Sequence, residues 1–443
     1  MALTSKRAWA LASRTPDLLR RGLAGGPRKI LQRMRVVASM VARGESYRIR
    51  DALMRSSETV TTRIARFPQL RPLAVFPEPT ADRRLTLVTD SIGAGNLFGG
   101  VGTAMIIGAM LAERLGCTLR IVTRTELPEP ASLAMILGLH GIGFTQKSEF
   151  LQSNMYGESR PVAIGPADLF LTTSWWSTQA TLASVPARSI IYLCQEDERM
   201  FYPSGDDYIR CEELMGRPDI RFLLNTELLK RHLVGSGLTA IERNGTSFEP
   251  AFPANIYHAG QRPPGTKRRF FFYARPQNLR NLYWRGLEAI EESIRRGVID
   301  TDVWAFDFVG TKIPKDPLPG EADVTIWDTV GWQQYGELVR GADIGLSLMS
   351  TPHPSYPPLD LAASGALVVT NRYGLKTSLD QYSDSIICTD LGVDALVEGI
   401  RTAVTRAAGR DEAARRQAAA SVRLPRDWSA ALAPMVETLA REF

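Results

Sequence analysis

From residue 84 onward, short runs rich in Val, Ile, Leu and Phe alternate with stretches whose apolar positions recur every three to four residues. The runs at 84–90, 118–124, 167–174, 188–194 and 220–225 predict buried strands, with a helix over 101–115 after the first and further helices after the third and fifth. Residues 244–268, dense in Pro, Gly and Asn, predict a linker. A second series follows, with strands at 268–275, 302–310, 342–349, 366–371 and 385–390, and helices near 282–296, 332–340, 359–364 and 393–408. Strands that are apolar on both faces and alternate with helices imply parallel sheets covered on both sides. The expected architecture is therefore α/β, with two Rossmann-like doubly wound domains, 81–250 and 265–425, facing a central cleft. A basic helical arm (1–80) precedes them, and a helix over 426–443 is expected to return to the first domain.

Composition changes this picture in one place. At 443 residues, 44% hydrophobic and 23% charged, the chain has the values of a folded multidomain protein rather than a disordered or fibrous one. Residues 1–66 hold 15 Lys or Arg against 4 Asp or Glu, a net of +11, whereas the whole chain carries only +6. Within them Ile30, Leu31, Met34, Val37, Ala38 and Val41 share one helical face, surrounded by arginines. Such a helix suits an anionic membrane surface, or equally a helix packed on its own protein with its arginines in water. No aromatic platform accompanies the charge, so nucleic acid is not expected as a partner. Four cysteines without CxxC spacing argue against a zinc site or disulfide framework. No apolar run reaches the ~18 residues of a membrane span, and Arg14, Arg20 and Arg21 interrupt any signal-peptide core. A cytoplasmic protein, peripheral on the membrane at most, is the expectation.

Four loops carry candidate chemistry. In 90–104, DSIGAGNLFGGVGTA, Gly99 and Gly100 open a helix whose backbone N–H groups can meet a phosphate. Glycines at 93, 95 and 99 keep a nicotinamide-binding fold open as an alternative, although Phe98 breaks the strict dinucleotide pattern. In 270–286, Arg275 at a strand's carboxyl end, with Arg280, can donate to a diphosphate leaving group, while Arg285 is expected to face solvent. In 350–371, STPHPSYPPLDLAASGALVVTN, prolines stiffen a loop that places Asp360 in the first turn of a helix, where it can accept from sugar hydroxyls while adjacent amides face phosphates. His353, Ser355 and Tyr356 of that loop join the donor-binding candidates. Glu196 and Asp197, in the charged loop QEDER, are the catalytic candidates, carboxylates that would position the acceptor, and Gln195, Trp175 and Trp176 are the acceptor-binding candidates. Asp300 and Asp302 form a D-x-D pattern at the start of a strand, expected to be a surface turn rather than a Mg²⁺ site.

Taken together, PHPSYPPLDLAASGALVVTN, FFFYARP followed by RN, LFGGVGTA and CQEDERMFYPSGDDY resemble bacterial rhamnosyltransferases of the WsaF type, in glycosyltransferase family 4, over residues 84–425. The resemblance implies a GT-B fold, metal-independent transfer of L-rhamnose from dTDP-L-rhamnose to a growing polysaccharide with retention, and a donor held mainly by the second domain. It implies that Asp360 takes the place of the second Glu of the family's E-x7-E motif, as a ribose ligand, with Pro352 at the first. It sets Gly99 and Gly100 facing the donor phosphates and acceptor, and Arg275 and Arg280 on the phosphate side. The subgroup's Gln-Asp-Tyr-Glu-Pro is matched here by Gln195 and Glu198, with Glu196 and Asp197 at the two altered positions. A nicotinamide-dependent oxidoreductase and a non-catalytic glycan-binding scaffold are the alternatives.

Overall fold

The computed structural model describes residues 66–93, 99–157, 160–261, 265–315, 318 and 322–443. The amphipathic segment of the basic arm, and its membrane contact, lie outside the described residues. The chain forms two compact units, Met1–Arg71 and Pro72–Phe443. Of the first, residues 66–71 are described and hold a short 3-10 turn, Pro68–Leu70.

The second unit begins earlier than the expected arm boundary at residue 80. Strand β1 (Val75–Pro77) already pairs in parallel with β5 (Val162–Ile164), because Leu73 and Val162 bury beside Val88 and Phe170. The first lobe's sheet consists of β2 (Arg84–Thr89), β3 (Thr118–Thr123), β4 (Ser148–Gln152), β6 (Leu169–Thr172), β7 (Ile190–Cys194), β8 (Arg221–Asn225) and β9 (Gly245–Phe248). The second lobe's sheet consists of β10 (Arg268–Ala274), β11 (Trp304–Gly310), β12 (Asp323–Asp328), β13 (Ile344–Leu346), β14 (Leu367–Asn371) and β15 (Ile386–Thr389). Their spatial orders are β4-β3-β2-β6-β7-β8-β9 and β12-β11-β10-β13-β14-β15, with every neighbouring pair parallel. In each sheet the order reverses beside the first strand, between β2 and β6 and between β10 and β13. Ligands of doubly wound sheets bind outside the strands' carboxyl ends at such reversals.

The unbroken apolar run of β10 follows from burial on both faces. Phe270, Phe272 and Ala274 enter one core with Phe306 and Leu346, while Phe271 enters the opposite core with Tyr335 and Val368. Each fully buried Phe contributes about 1.5–3 kcal/mol. Helices cover these faces: α1 (Gly100–Leu115), α2 (Trp175–Leu182), α3 (Tyr283–Arg295), α4 (Trp332–Gly341), α5 (Tyr356–Ala363), α6 (Val393–Ala408) and α7 (Trp428–Glu442) among them. Asp427 caps α7 by accepting from the Ala430 N–H at 2.7 Å, and Trp428, Leu432 and Val436 then pack into the first lobe's core beside α1.

Three strands of the main sheets lie outside the runs read from the sequence: β4, β9 and β12. Each is a sheet edge. An edge strand is half-solvated and needs no continuous apolar run, and β12 shows this by having no fully buried residue. The expected linker is also more structured than its composition suggests. It contains β9, and Phe252, Ile256 and Tyr257 are buried in the second lobe's core.

Candidate active site

A cavity of about 390 Å³ opens where the carboxyl ends of the two sheets meet. Gly99, Gly100, Gln195 and Glu196 enter it from the first lobe; Arg275, Arg280, His353, Ser355, Tyr356 and Asp360 enter it from the second. Of the thirteen residues singled out from sequence, these ten share one cavity.

The proline loop and α5 form one wall. The helix starts at Tyr356, earlier than the sequence suggests, so Asp360 sits in its second turn and not its first. Pro357 and Pro358 occupy the second and third helical positions, where a missing N–H costs little. They also remove two of the amides expected to face a phosphate, so the anion-binding capacity of this helix end falls largely to side chains. Ser355, at the N-cap, has φ +70°, a conformation that non-glycine residues seldom adopt and that concentrates at ligand sites. Its N–H donates to His353 Nδ1 at 2.9 Å, which leaves the imidazole proton on Nε2. That Nε2 is buried without a partner, and burial, with Lys376 and Arg280 nearby, lowers the His353 pKa to about 3. His353 is thus a neutral, unspent donor in the cavity wall.

Asp360 is buried, accepts from Tyr335 Oη at 2.8 Å through Oδ2, and has no hydrogen bond at Oδ1. Burial raises its pKa to about 7 against the hydroxyls of Tyr335 and Tyr257. Tyr257, Tyr273, Trp332 and Tyr335 complete an aromatic wall around it. Tyr273 stands within FFFYARP, where Arg275 drew the attention; Tyr257, Trp332 and Tyr335 stand in no recognisable motif, and the one signal for the last two is that they fall in the helix expected over 332–340.

Tyr356 joins the lobes. Its hydroxyl lies 2.7 Å from Thr103 Oγ1, which itself donates to the Gly99 carbonyl, and accepts from Asn225 Nδ2 at 2.8 Å. Gly99 has φ +64°, and a Cβ there would lie 3.4 Å from the Tyr356 ring. Gly99→Ala is therefore expected to cost about 1–2 kcal/mol in chemical denaturation through the left-handed backbone alone. An unchanged midpoint would contradict the geometry. Gln195 is a strut of the same junction, donating from Nε2 to the Gly100 carbonyl at 2.8 Å.

The cations differ in their engagement. Arg275 makes one long contact, 3.4 Å to Tyr273 Oη, and no ion pair with a described residue. Arg280 pairs with Glu196 at 2.9 Å and lies over the Phe201 ring at 4.3 Å. Glu196 also accepts from Thr351 Oγ1, and its burial raises its pKa despite Arg280. Arg285 forms an exposed pair with Glu288 at 3.1 Å, as expected of a solvent-facing residue.

Three candidates, contrary to expectation, stand apart from the cavity. Asp197 caps a short 3-10 turn and is paired with Arg199 at 2.8 Å and His232 at 3.3 Å, which hold its pKa at about 2, so it is a structural anion. Trp175 is fully buried and donates to Tyr202 Oη at 2.9 Å, leaving no face for a sugar. Trp176 donates to both oxygens of Asp90, at 3.0 and 3.1 Å, and packs near Phe201 outside the cavity wall. Asp300 and Asp302 lie in a turn before β11, at the end of the strand opposite the cavity, and no metal-holding group of three or more His, Cys, Asp or Glu occurs among the described residues.

Residues 84–226 match the WsaF N-terminal domain and 268–401 the WsaF C-terminal domain, together more than half the chain. Over 250 residues, 56% of this chain, it is 31% identical to the O-antigen biosynthesis protein RfbC of Myxococcus xanthus, while spanning only 19% of that protein's length. HepE of Anabaena, solved with UDP-glucose, superposes with a TM-score of 0.56 at 12% identity over 81% of this chain and 99% of HepE. Sucrose-phosphate synthase of Thermosynechococcus elongatus gives 0.54 at 10% identity over 81% of this chain and 99% of the synthase. These neighbours establish the GT-B fold, and the domain matches displace the nicotinamide alternative. The chain belongs to the WsaF family of glycosyltransferases and carries both of that family's domains in order.

Proposed function

We propose that this protein transfers L-rhamnose from dTDP-L-rhamnose to a growing cell-surface polysaccharide, with retention and without a metal ion. The observation that carries the donor site is Arg275, a guanidinium with no ion pair to a described residue, lining the same cavity as the unpartnered Nε2–H of His353. As the glycosidic bond breaks, charge grows on the leaving phosphate, and preorganised donors of this kind are what stabilise it. Asp360 Oδ1 is free to accept from the ribose, and the aromatic wall gives the base an apolar surface. The leaving phosphate itself takes the acceptor's proton on the same face of the sugar, so the step balances without a separate protein base. The polysaccharide acceptor is supported by the RfbC relative, and a sugar-nucleotide donor by HepE, which was solved with UDP-glucose. The basic arm would hold the enzyme on the cytoplasmic face of the membrane, its net charge of +11 over residues 1–66 supporting that place.

The test is a thermal-shift series with dTDP, UDP, GDP, ADP and NADH, followed by transfer from dTDP-L-rhamnose. A ligand at ~100 times its dissociation constant stabilises the fold by about 2.7 kcal/mol. Selective stabilisation by dTDP is expected. A selective response to UDP or GDP would replace the donor, binding without any transfer would favour a glycan-binding scaffold, and a response to none would overturn the reading.

A further inference from the structure

Glu196 comes from the loop after β7 of the first lobe, yet both of its carboxylate oxygens are held by the second lobe. Oε2 pairs with Arg280 at 2.9 Å and Oε1 accepts from Thr351. The residue is buried at 8% exposure and lines the same cavity as Arg275 and His353. One of the cations available to a leaving diphosphate is thus already occupied by an anion of the protein's own. Arg280 does not need that anion to keep its place, because the Phe201 ring supports its guanidinium at 4.3 Å. A second anion arriving at Arg280 meets a buried like charge, and two anions cannot share one cation at that depth without repulsion.

We propose that Glu196 stands in for the donor's diphosphate on Arg280 in the empty site, and that the donor displaces it toward the first lobe, where it positions the acceptor. This rests on the sugar-nucleotide reading above and adds an order to it: donor first, acceptor second. Glu196 is a positioning residue in this scheme. The Asp197 N–H, which already donates to Glu196 Oε1 at 3.3 Å, gives the displaced carboxylate a first-lobe donor to remain beside. The arrangement keeps the lobes joined while the site is empty and frees the acceptor-side carboxylate only after the donor has arrived.

Calorimetric titration of dTDP and UDP into the full chain tests this. Glu196→Gln keeps the shape and the contact with Thr351 but removes the charge, so nucleotide Kd is expected to fall by about fivefold, equivalent to about 1 kcal/mol. Donor KM should fall with it, while kcat for transfer to the acceptor also falls, a split that loss of a merely structural contact would not produce. The tightening should vanish when Arg280→Ala and Glu196→Gln/Arg280→Ala are compared. Thr351→Val, which loosens the other hold on Glu196, supplies a second measurement should the first variant fold poorly, with a decrease in Kd expected. Weaker or unchanged binding in these variants, or tightening that persists without Arg280, overturns the proposal while leaving the donor site intact. Failure of the unaltered protein to bind any nucleoside diphosphate would instead overturn the reading on which it rests.

Discussion

Arg275→Ala is expected to lower transfer by about 10²–10³-fold, the usual loss when one preorganised donor to a developing oxyanion is removed, and to leave thermal stability unchanged. Both halves follow from the same fact. Arg275 sits at the carboxyl end of β10, beside the reversal of strand order, and its only described hydrogen bond is 3.4 Å long. The fold therefore loses almost nothing with it, whereas a diphosphate loses a charge-assisted pair. Arg275→Lys should recover only part of the rate, since an ammonium cannot reproduce two parallel N–H donors. Saturating-donor kinetics alongside melting curves decide the matter: a rate within threefold of the unaltered protein, or a parallel fall in melting temperature, would show that Arg275 is a structural residue.

Asp360→Asn should separate stability from function in the opposite sense. The folded-state pKa of about 7 lies above the value of about 3.8 for a free Asp. Between those values the folded chain keeps a proton that the unfolded chain has lost, so stability falls as pH rises through the window. The full shift corresponds to about 4 kcal/mol, at about 1.4 kcal/mol per pKa unit. Asparagine carries no charge and can still accept from Tyr335. Its advantage over aspartate should be near zero below pH 4, grow with pH, and level off above pH 7. Nucleotide affinity should fall about tenfold or more, the cost of losing a charged hydrogen-bond acceptor for the ribose. Urea denaturation of both proteins across pH 4–8.5, with dTDP titrations at pH 8, measures the two effects. A destabilised variant at pH 8, or one that binds dTDP as tightly as before, would remove Asp360 from the donor site. The pattern is that of a binding residue kept at the expense of stability.

The core of the fold was legible because burial on both faces writes itself into consecutive apolar residues. FFFYA in β10 and LVVT in β14 have no polar alternation to confuse them with loops. The edges β4, β9 and β12 were not legible, since one flank of each meets solvent and their composition drifts toward that of turns. Arg275 was legible for a related reason: a strand end followed by a glycine-free, proline-containing turn fixes where its residue points in a doubly wound sheet. Trp175 and Trp176 were not, because adjacent aromatics after a strand look alike until a capping helix turns one into the core and leaves the other beside Asp90.

By itself, the sequence determined two successive parallel sheets, the glycine opening of α1, the arginines after β10 and the proline-stiffened entry to α5. All of these depend on neighbours within a few residues, whose sterics and burial act locally. Only the tertiary structure decided that Glu196 is held by Arg280 and Thr351, that Tyr356 bonds to Thr103 and Asn225, that His353 keeps an unspent Nε2–H, and that Tyr335 sits on Asp360. Those pairings join residues distant in the chain, and in most cases join the two lobes. Their energies depend on distances of a few ångströms and on exclusion of water, which no local pattern of residues encodes.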